Sequence, residues 1–193
     1  MSTIKTAPTT LIPITFDAYI RYGDAIAGIY ERGFHEVAGA GEQFLNGQLR
    51  KHMGYAGFAG LIALDETSRA VGFVYGYRSE PGQYWREWIL PDLAASGLES
   101  WLGDLFEFVE FAVDPDFQGR GIGGRLHDAL LLETTERRSL LCAEQGDAIA
   151  PTMYRRRGWV PLIRDFKGED LMLMGLDLAA FRARRGGTLP FVR

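Results

Sequence analysis

Four glycines in one turn are the feature of this 193-residue sequence that most clearly indicates chemistry. Gly119, Gly121, Gly123 and Gly124 lie within the run FVEFAVDPDFQGRGIGGRLHDALL, between an apolar stretch and a helix-like stretch. A loop that only joins a strand to a helix does not need four glycines. A loop that lays its backbone against a ligand does, because glycine adopts conformations that other residues avoid. The turn therefore predicts a ligand held by main-chain groups.

The same glycines also match the dinucleotide-binding pattern G-x-G-x-x-G. Gly119, Gly121 and Gly124 fit that pattern. Glu144 follows Gly124 by twenty residues, the spacing of a ribose-binding acid. However, five residues separate the apolar stretch from the first glycine, and Pro115 among them ends the strand early. Only 69 residues follow Gly124, too few to complete a doubly wound fold. A dinucleotide-binding enzyme is therefore the disfavoured alternative.

Taken as V-x-P-x-x-Q-x-x-G-x-G-x-x-L, the segment resembles the acetyl-coenzyme A (acetyl-CoA) loop of the GCN5-related N-acetyltransferases, the GNAT family. Gln118, Gly121 and Gly123 occupy the signature positions. Downstream, MYRRRGW resembles the family's late helix, in which a glycine lies four residues after a tyrosine and an aromatic residue follows the glycine directly. Tyr154, Gly158 and Trp159 occupy those positions. The two motifs occur in the family's order, and the similarity extends over residues 105–178.

The resemblance implies a GNAT-like α/β (α+β) fold. It has a mixed, mostly antiparallel sheet, flanking helices and a splayed pair of central strands. It also implies acetyl-CoA as cosubstrate, no metal, and direct attack of an amine on the thioester in a ternary complex. The loop's N–H groups and the positive end of the next helix are expected to bind the pyrophosphate. The residues expected to contact acetyl-CoA are Phe111, Ala112, Val113, Gln118, Gly119, Arg120, Gly121, Ile122, Gly123, Gly124 and Arg125.

That reaction needs an oxyanion donor, an acid for the thiolate and a base for the ammonium. The Val113 N–H is expected to stabilise the oxyanion. Tyr154 is the expected acid, since an ordinary phenol pKa of about 10 suits a thiol of about 8.5. Glu107 and Glu110 are the alternative bases, on opposite faces of the strand. Glu107 precedes Gln118 by eleven residues, as the base does in the histone-acetylating branch. A water chain is the third alternative.

The elements that must position these residues follow from the spacing of apolar side chains. Gly33 is expected to end the first helix, and Pro151 and Gly158 to begin and to follow the last one. The predicted helices span 15–31, 42–53, 122–137 and 151–157. The predicted strands span 61–64, 71–77, 105–113, 139–144, 159–164 and 170–178. We expect a loose lead-in over 1–13, a single acetyltransferase domain over 14–180 and a basic tail over 181–193.

A tryptophan-rich insert over 80–104 precedes the strand that carries both glutamates. Pro91 and Gly97 are expected to break it into two short helices. One alternative is that Trp85, Trp88 and Trp101 cap the core. The other is a wall or lid over the acceptor site, where aromatic faces beside carboxylates favour a cationic, partly apolar amine.

Composition narrows the remaining classes of function. A net charge of -4 and a pI near 5.4 argue against a nucleic-acid partner. No apolar run is long enough for a signal core or a membrane span, which predicts a cytoplasmic protein. The three histidines and one cysteine show no metal-ligand spacing. The expected acceptor is a small-molecule amine or a protein N-terminus. A non-catalytic acyl-CoA-binding module and a homodimer stay open.

Overall fold

A seven-stranded sheet organises the part of the chain that the structure, a computed structural model, describes, which is residues 9–146 and 149–186. The strands are β1 (Thr10–Pro13), β2 (Ala59–Leu64), β3 (Ala70–Arg78), β4 (Leu105–Val113), β5 (Arg138–Glu144), β6 (Val160–Ile163) and β7 (Leu171–Asp177). Their order is β1-β2-β3-β4-β5-β7-β6. The pairs β1–β2, β2–β3, β5–β7 and β6–β7 are antiparallel, and β4–β5 is parallel. The predicted mixed, mostly antiparallel sheet is confirmed.

Seven α-helices accompany the described strands. They are α1 (Phe16–Phe34), α2 (Ala40–Gln43), α3 (Arg50–His52), α4 (Tyr84–Ala95), α5 (Ile122–Glu133), α6 (Ile149–Arg156) and α7 (Leu178–Arg184). A π-helical turn, Phe44–Leu49, joins α2 to α3. Short 3₁₀ turns lie at Glu99–Leu102, Pro115–Phe117 and Phe166–Gly168. The helix predicted over 42–53 is therefore present, but its middle turn is wider than an α-helix.

The described residues divide into two compact units. Unit 1 holds those up to Tyr77 together with Val109–Glu133, and unit 2 holds Arg78–Phe108 together with those from Thr134 onward. In unit 1 the predicted hairpin forms, with Ala63 opposite Gly72. The core of unit 1 packs α1 and the π-helical turn against β2 and β3, through Ile26, Ile29, Phe44, Leu49, Ile62, Phe73 and Tyr75.

Unit 2 has its own core beneath the insert. It contains Ile89, Leu93, Leu102, Leu105, Leu140, Phe166 and Leu173. The parallel register of β4 and β5 joins Leu105, Phe106 and Glu107 to Arg138, Ser139 and Leu140. A pairing of three residues in strands of nine and seven is what a splayed pair of central strands predicts.

The end of α1 differs from the prediction. The helix continues through Gly33 to Phe34, and His35 closes it in the left-handed conformation, with φ 56° and its N–H bonded to the carbonyl of Glu31. Gly33 serves packing instead, because a Cβ there would lie 3.2 Å from the Cβ of Ala112. The glycine lets α1 approach β4 and is not the cap.

The end of α5 also differs, since the helix stops at Glu133 and not at 137. Arg182 donates hydrogen bonds to the main-chain carbonyls of the residues that follow, to that of Thr134 at 2.7 Å and to that of Glu136 at 2.6 Å. Glu136 is itself buried and pairs with Arg78 at 2.9 Å. Residues 134–137 therefore have a tertiary partner for their polar groups in place of another helical turn.

Pro91 does not break the insert as predicted, because α4 runs through it to Ala95. Its ring removes the helical hydrogen bond to the carbonyl of Glu87. Ile89 and Leu93, on either side, are fully buried, and that burial offsets the loss. The break falls at Gly97, with φ 66°, and the 3₁₀ turn follows, so the two short helices are present.

The predicted ends of the domain contain ordered structure where they are described. Thr10–Pro13, part of the expected lead-in, pairs with β2 as the edge strand β1. In the expected tail, Phe181 is buried on α7. The rest of these two segments, 1–8 and 187–193, lies outside the described residues.

Candidate functional site

The glycine turn leaves β4 and enters α5 within unit 1. Gly119 and Gly121 have φ of 71° and 79°, a region in which L side chains are strained. Main-chain N–H groups in such a turn can converge on an anion, and the first turn of a helix adds its positive end. The φ values of the turn are compatible with the predicted pyrophosphate site.

Gly123 also has a packing role. A Cβ at this position would lie 3.0 Å from Cζ of Phe111 and 3.6 Å from Cγ2 of Val113. The glycine thus lets the first turn of α5 pack on β4. Residues 111, 113 and 123 are held together, and the end of β4 is placed directly under the turn.

Asp114 anchors the start of the turn, and the sequence analysis missed it. Its side chain is 1% exposed and accepts hydrogen bonds from Arg32 at 2.9 Å and Arg69 at 3.0 Å. Its other oxygen accepts from the N–H of Asp116, and its own N–H donates to Val71. The aspartate before Pro115 was the available signal. The ion pairs tie the turn to α1 and to the β2–β3 hairpin.

The polar side chains expected at the cofactor have partners inside the protein. Gln118 donates to the carbonyl of Val113 at 3.1 Å. Arg120 donates to the carbonyl of Asp116 at 2.8 Å, and its guanidinium lies 4.9 Å from the ring centre of Phe117. Arg125 donates to the hydroxyl of Thr9 at 2.5 Å and to its carbonyl at 2.7 Å. These contacts brace the turn and the start of α5.

Glu110, on β4, is half-buried in unit 1 beneath the π-helical turn. Gln48 donates to its carboxylate at 2.8 Å and to the hydroxyl of Tyr75 at 3.1 Å. Burial raises the pKa of Glu110 to about 7, Gln48 opposes that shift, and Glu36 adds to it. Glu110 in turn helps burial raise the pKa of Tyr30 to about 12. A carboxylate with a pKa near neutrality suits a general base.

Glu107, the other predicted base, is placed in unit 2. Its side chain is 1% exposed, and it lies opposite Leu140 in the short parallel register. Glu107 and Glu110 are thus both on β4, but they belong to different units and differ in access to solvent.

Tyr154, the predicted acid, lies on α6 in unit 2. Its ring is buried and makes edge contacts with Phe108 and Trp159, with ring centres 6.1 and 5.7 Å apart. Gly158, with φ 97°, turns the chain so that Trp159 reaches Phe108. The helix begins at Ile149, two residues before the predicted start, and Pro151 still lies in its first turn.

The tryptophans of the insert pack on the core of unit 2. Trp85, Trp88 and Trp101 all contact that core, and Trp88 meets Phe166 edge-on at 4.9 Å. Lys167 lies over the Trp88 ring and forms an ion pair with Asp92. These contacts favour the core-capping alternative, because the aromatic faces and an acid of the insert already have partners.

A cavity of about 470 Å³ lies in unit 1. It is lined from α1 and from the residues around α3, by Ile14, Phe16, Tyr19, Arg50, Met53, Gly54 and Phe58. Phe58 meets the ring of Tyr75, with ring centres 5.7 Å apart. Among the described residues there is no cluster of three metal-ligating side chains, and none of their helices is long and apolar enough to cross a membrane.

The fold is that of a mixed α/β protein with a glycine turn of left-handed backbone between β4 and α5. A family model, the acetyltransferase (GNAT) domain, matches residues 56–161, more than half of the chain. The chain belongs to the GNAT acetyltransferase family. The predicted family and fold class are thereby confirmed.

One curated relative is a GCN5-like protein acetyltransferase of Mycobacterium tuberculosis. It is 33% identical over 104 residues, which are 50% of this chain and 50% of the relative. The match thus spans about half the length of that relative.

Solved structures share the fold. The ribosomal-protein-S18-alanine N-acetyltransferase of Escherichia coli aligns with a TM-score of 0.62 at 14% identity, over 89% of this chain and 94% of its own. The spermidine/spermine N-acetyltransferase of Vibrio cholerae aligns at 0.61 and 15%, over 92% and 98%. An N-acetyltransferase of Thermoplasma acidophilum in complex with coenzyme A aligns at 0.58 and 10%, over 88% and 99%.

Proposed function

We propose that this chain is an N-acetyltransferase that moves the acetyl group of acetyl-CoA to a primary amine by direct attack in a ternary complex. The observation that carries the proposal is the turn at 118–124, with its left-handed glycines, between the end of β4 and the start of α5. The coenzyme A bound to a protein of the same fold supports acetyl-CoA as the donor.

The donor is proposed to lie along the end of β4 and the turn. N–H groups from Gln118 to Gly124 bind the pyrophosphate, and the left-handed φ values of Gly119 and Gly121 permit the turn that brings these groups together. Arg120 and Arg125 add positive charge nearby while bracing the turn. Backbone groups of Phe111, Ala112 and Val113 hold the pantetheine arm, and Ile122, buried beneath the turn, keeps α5 in place.

Glu110 is our proposed general base. It is half-buried, its pKa is raised to about 7, and it lies three residues before Val113 on β4. It takes a proton from the acceptor's ammonium, and the free amine then forms a bond to the thioester carbonyl carbon. Glu107 is less suited, since a carboxylate that is 1% exposed exchanges protons with solvent poorly.

The Val113 N–H is the proposed donor to the oxyanion, because charge develops on the carbonyl oxygen as the C–N bond forms. The C–S bond then breaks and coenzyme A leaves as a thiolate. Tyr154 is proposed to give that thiolate its phenolic proton and to recover one from solvent. The nitrogen loses its remaining extra proton to solvent, and Glu110 returns its own proton there. Acetylated amine and coenzyme A are the products.

The acceptor is proposed to be a small-molecule amine or a protein N-terminus. The E. coli and V. cholerae proteins are named for one acceptor of each kind, a ribosomal-protein alanine and spermidine or spermine. The pairing of Asp92 with Lys167 weakens the case for a polycation bound by the insert. A cytoplasmic location and a homodimer stay predictions.

Amine-dependent release of coenzyme A tests the proposal. The chain is incubated with acetyl-CoA and pools of small amines and peptide N-termini, and free thiol is followed with a chromogenic reagent. Thermal shifts with acetyl-CoA, free coenzyme A and NAD run in parallel. Stabilisation by both coenzyme A species with amine-dependent turnover is expected. Stabilisation without turnover on any pool favours the non-catalytic acyl-CoA-binding module, and stabilisation by NAD alone overturns the proposal.

A further inference from the structure

A chain of hydrogen-bonded polar side chains ends on Glu110. Nδ1 of His52 lies 3.2 Å from the hydroxyl of Tyr75, and Nε2 of Gln48 lies 3.1 Å from the same hydroxyl. The same Nε2 lies 2.8 Å from Oε1 of Glu110. Tyr75 is fully buried, and the other three are half-buried, so these contacts are shielded from water. All four residues belong to unit 1.

The donors and acceptors in this chain can be assigned consistently, with Gln48 donating to both of its neighbours. The amide of Gln48 has two N–H groups, and it donates one to Glu110 and one to the oxygen of Tyr75. The proton of the Tyr75 hydroxyl is then directed to Nδ1 of His52. Burial and the charge of Lys51 lower the pKa of His52 to about 4, so its ring is neutral and can accept. The reversed amide would set its oxygen against the carboxylate.

The π-helical turn is the element that presents Gln48. The turn spans Phe44–Leu49 and buries Phe44, Leu45 and Leu49, which pins it to the sheet. Phe44 stacks on Tyr30 of α1, with ring centres 4.2 Å apart, and faces Tyr75 at 6.2 Å. Single π-helical turns are rare and frequently mark functional sites. Gln48 is the side chain by which this one reaches both β3 and β4.

Gln48 opposes the other influences on Glu110. Glu36, after α1, repels an ionised carboxylate, and burial disfavours it too. Tyr30 on α1 and Tyr75 on β3 face the same carboxylate and are neutral, since the pKa of each is raised. A hydrogen bond donated by Gln48 stabilises the ionised form, because an N–H binds a carboxylate more strongly than a carboxylic acid.

We propose that Gln48, oriented by Tyr75 and His52, is the positioning residue that holds the Glu110 carboxylate ionised and in one orientation. This inference rests on the proposed function, in which Glu110 is the base. Gln48 lies in the π-helical turn, 62 residues from Glu110 in sequence. The inference is that its amide controls the pH range in which the base is ionised.

Gln48→Leu tests the inference, with Gln43→Leu as the matched control on the exposed face of α2. The carboxyl resonance of Glu110 is identified by its loss in Glu110→Gln and titrated by ¹³C NMR, a readout that does not need activity. We expect Gln48→Leu to raise the titration midpoint by about one pH unit and Gln43→Leu to leave it unchanged. The rising limb of the plot of kcat/KM against pH should move with this midpoint. In Gln48→Leu, kcat/KM should therefore be about ninefold below the wild-type value at pH 6 and nearly equal to it at pH 9.

Tyr75→Phe is the second variant and keeps the test decisive if Gln48→Leu does not fold. Removing the hydroxyl frees the Gln48 amide to rotate, so the midpoint should rise by a smaller amount in the same direction. A midpoint equal to that of the wild type in the folded variants overturns the inference. If the midpoint moves but Glu110→Gln keeps full kcat/KM, the contact stands and the proposed function loses its base.

Discussion

Single residues on β4 show how burial selects between chemically identical groups. Glu107 and Glu110 are three positions apart, yet one is 1% exposed and the other is half-buried with a donated hydrogen bond. A carboxylate must exchange its proton with the acceptor and with solvent to act as a base. The difference in burial between the two side chains is therefore the reason for proposing Glu110 as the base.

Glu110→Gln should abolish the rising limb of the pH–rate profile and lower kcat/KM by roughly 10²-fold or more at pH 8. The same change should stabilise the fold. Because the pKa of Glu110 is raised from 4.5 to about 7, the folded chain holds this proton longer than the unfolded chain. Stability from this group is full below pH 4.5 and is lost as pH rises through 7.

Thermal unfolding from pH 4 to 9 measures that second effect. The difference in melting temperature between Glu110→Gln and the wild type should increase in favour of the variant as the pH rises across this range. Glu107→Gln serves as the comparison. A variant that loses both activity and stability in parallel would instead indicate a structural role for Glu110.

Tyr154→Phe should slow the chemical step by roughly 10²-fold or more, while affinity for acetyl-CoA stays similar. The ring contacts with Phe108 and Trp159 need no hydroxyl, so the fold of unit 2 should persist. Single-turnover rates and the thermal shift with acetyl-CoA measure the two quantities. Wild-type single-turnover rates would remove Tyr154 from the mechanism.

At the scale of elements, the turn between β4 and α5 is held from both ends. Asp114 fixes its start through two arginines, and Gly123 lets α5 pack on Phe111 at its end. With both ends fixed, the N–H groups between them keep one arrangement, and the proposed binding of the pyrophosphate would not carry the cost of ordering a loop.

Gly121→Val should abolish acetyl-CoA binding and leave unit 1 folded. Valine avoids the φ of 79° that this position requires, and its side chain would stand where the pyrophosphate approaches. Gly97→Val is the matched control, because Gly97 also has a left-handed φ, 66°, but lies in the insert. Calorimetric titration with acetyl-CoA measures the affinity of each variant. Unchanged affinity in a folded Gly121→Val variant would contradict the proposal that this turn binds acetyl-CoA.

Asp114→Asn should lower stability by about 1–3 kcal/mol, since a buried charge-assisted hydrogen-bond partner of two arginines is weakened. It should also raise the KM for acetyl-CoA more than the KM for the acceptor, because the turn loses its anchor. Asp116→Asn, an exposed neighbour, should change neither quantity. Denaturant unfolding and steady-state kinetics measure the effect, and equal changes in both KM values would argue against a specific role in the turn.

At the scale of the whole molecule, each unit has its own hydrophobic core, and β4 contributes residues to both. The proposed base and the glycine turn belong to unit 1, and the proposed acid and the insert belong to unit 2. A variant in the insert is therefore expected to report on unit 2 first.

Trp88→Ala should lower the melting temperature by several degrees and leave the acceptor KM nearly unchanged. The ring packs edge-on against Phe166 and supports Lys167, so its loss opens a space at the core of unit 2. Tyr84→Ala, whose ring is 75% exposed on the same helix, is the control and should be silent. A raised acceptor KM with normal stability would favour the lid alternative.

The sequence by itself was enough for the features that depend on near neighbours. Alternating apolar residues defined the β2–β3 hairpin, β4 was predicted with its observed bounds, and the glycine spacing placed a turn between β4 and α5. Main-chain conformation in such segments is set by the residues that form them. A family motif is legible for the same reason.

Tertiary structure alone decided which side chains meet. The ion pair of Asp114 with Arg32 spans 82 positions, and the contact of Gln48 with Glu110 spans 62. Such pairs depend on strand order and on which face of a helix is buried, and the spacing of neighbouring residues in the sequence determines neither of these. The roles of Gly33 and of the residues after α5 have the same cause, since distant residues, Ala112 and Arg182, pack on or bond to them. The ionisation of Glu110 likewise follows from its burial, which only the assembled fold creates.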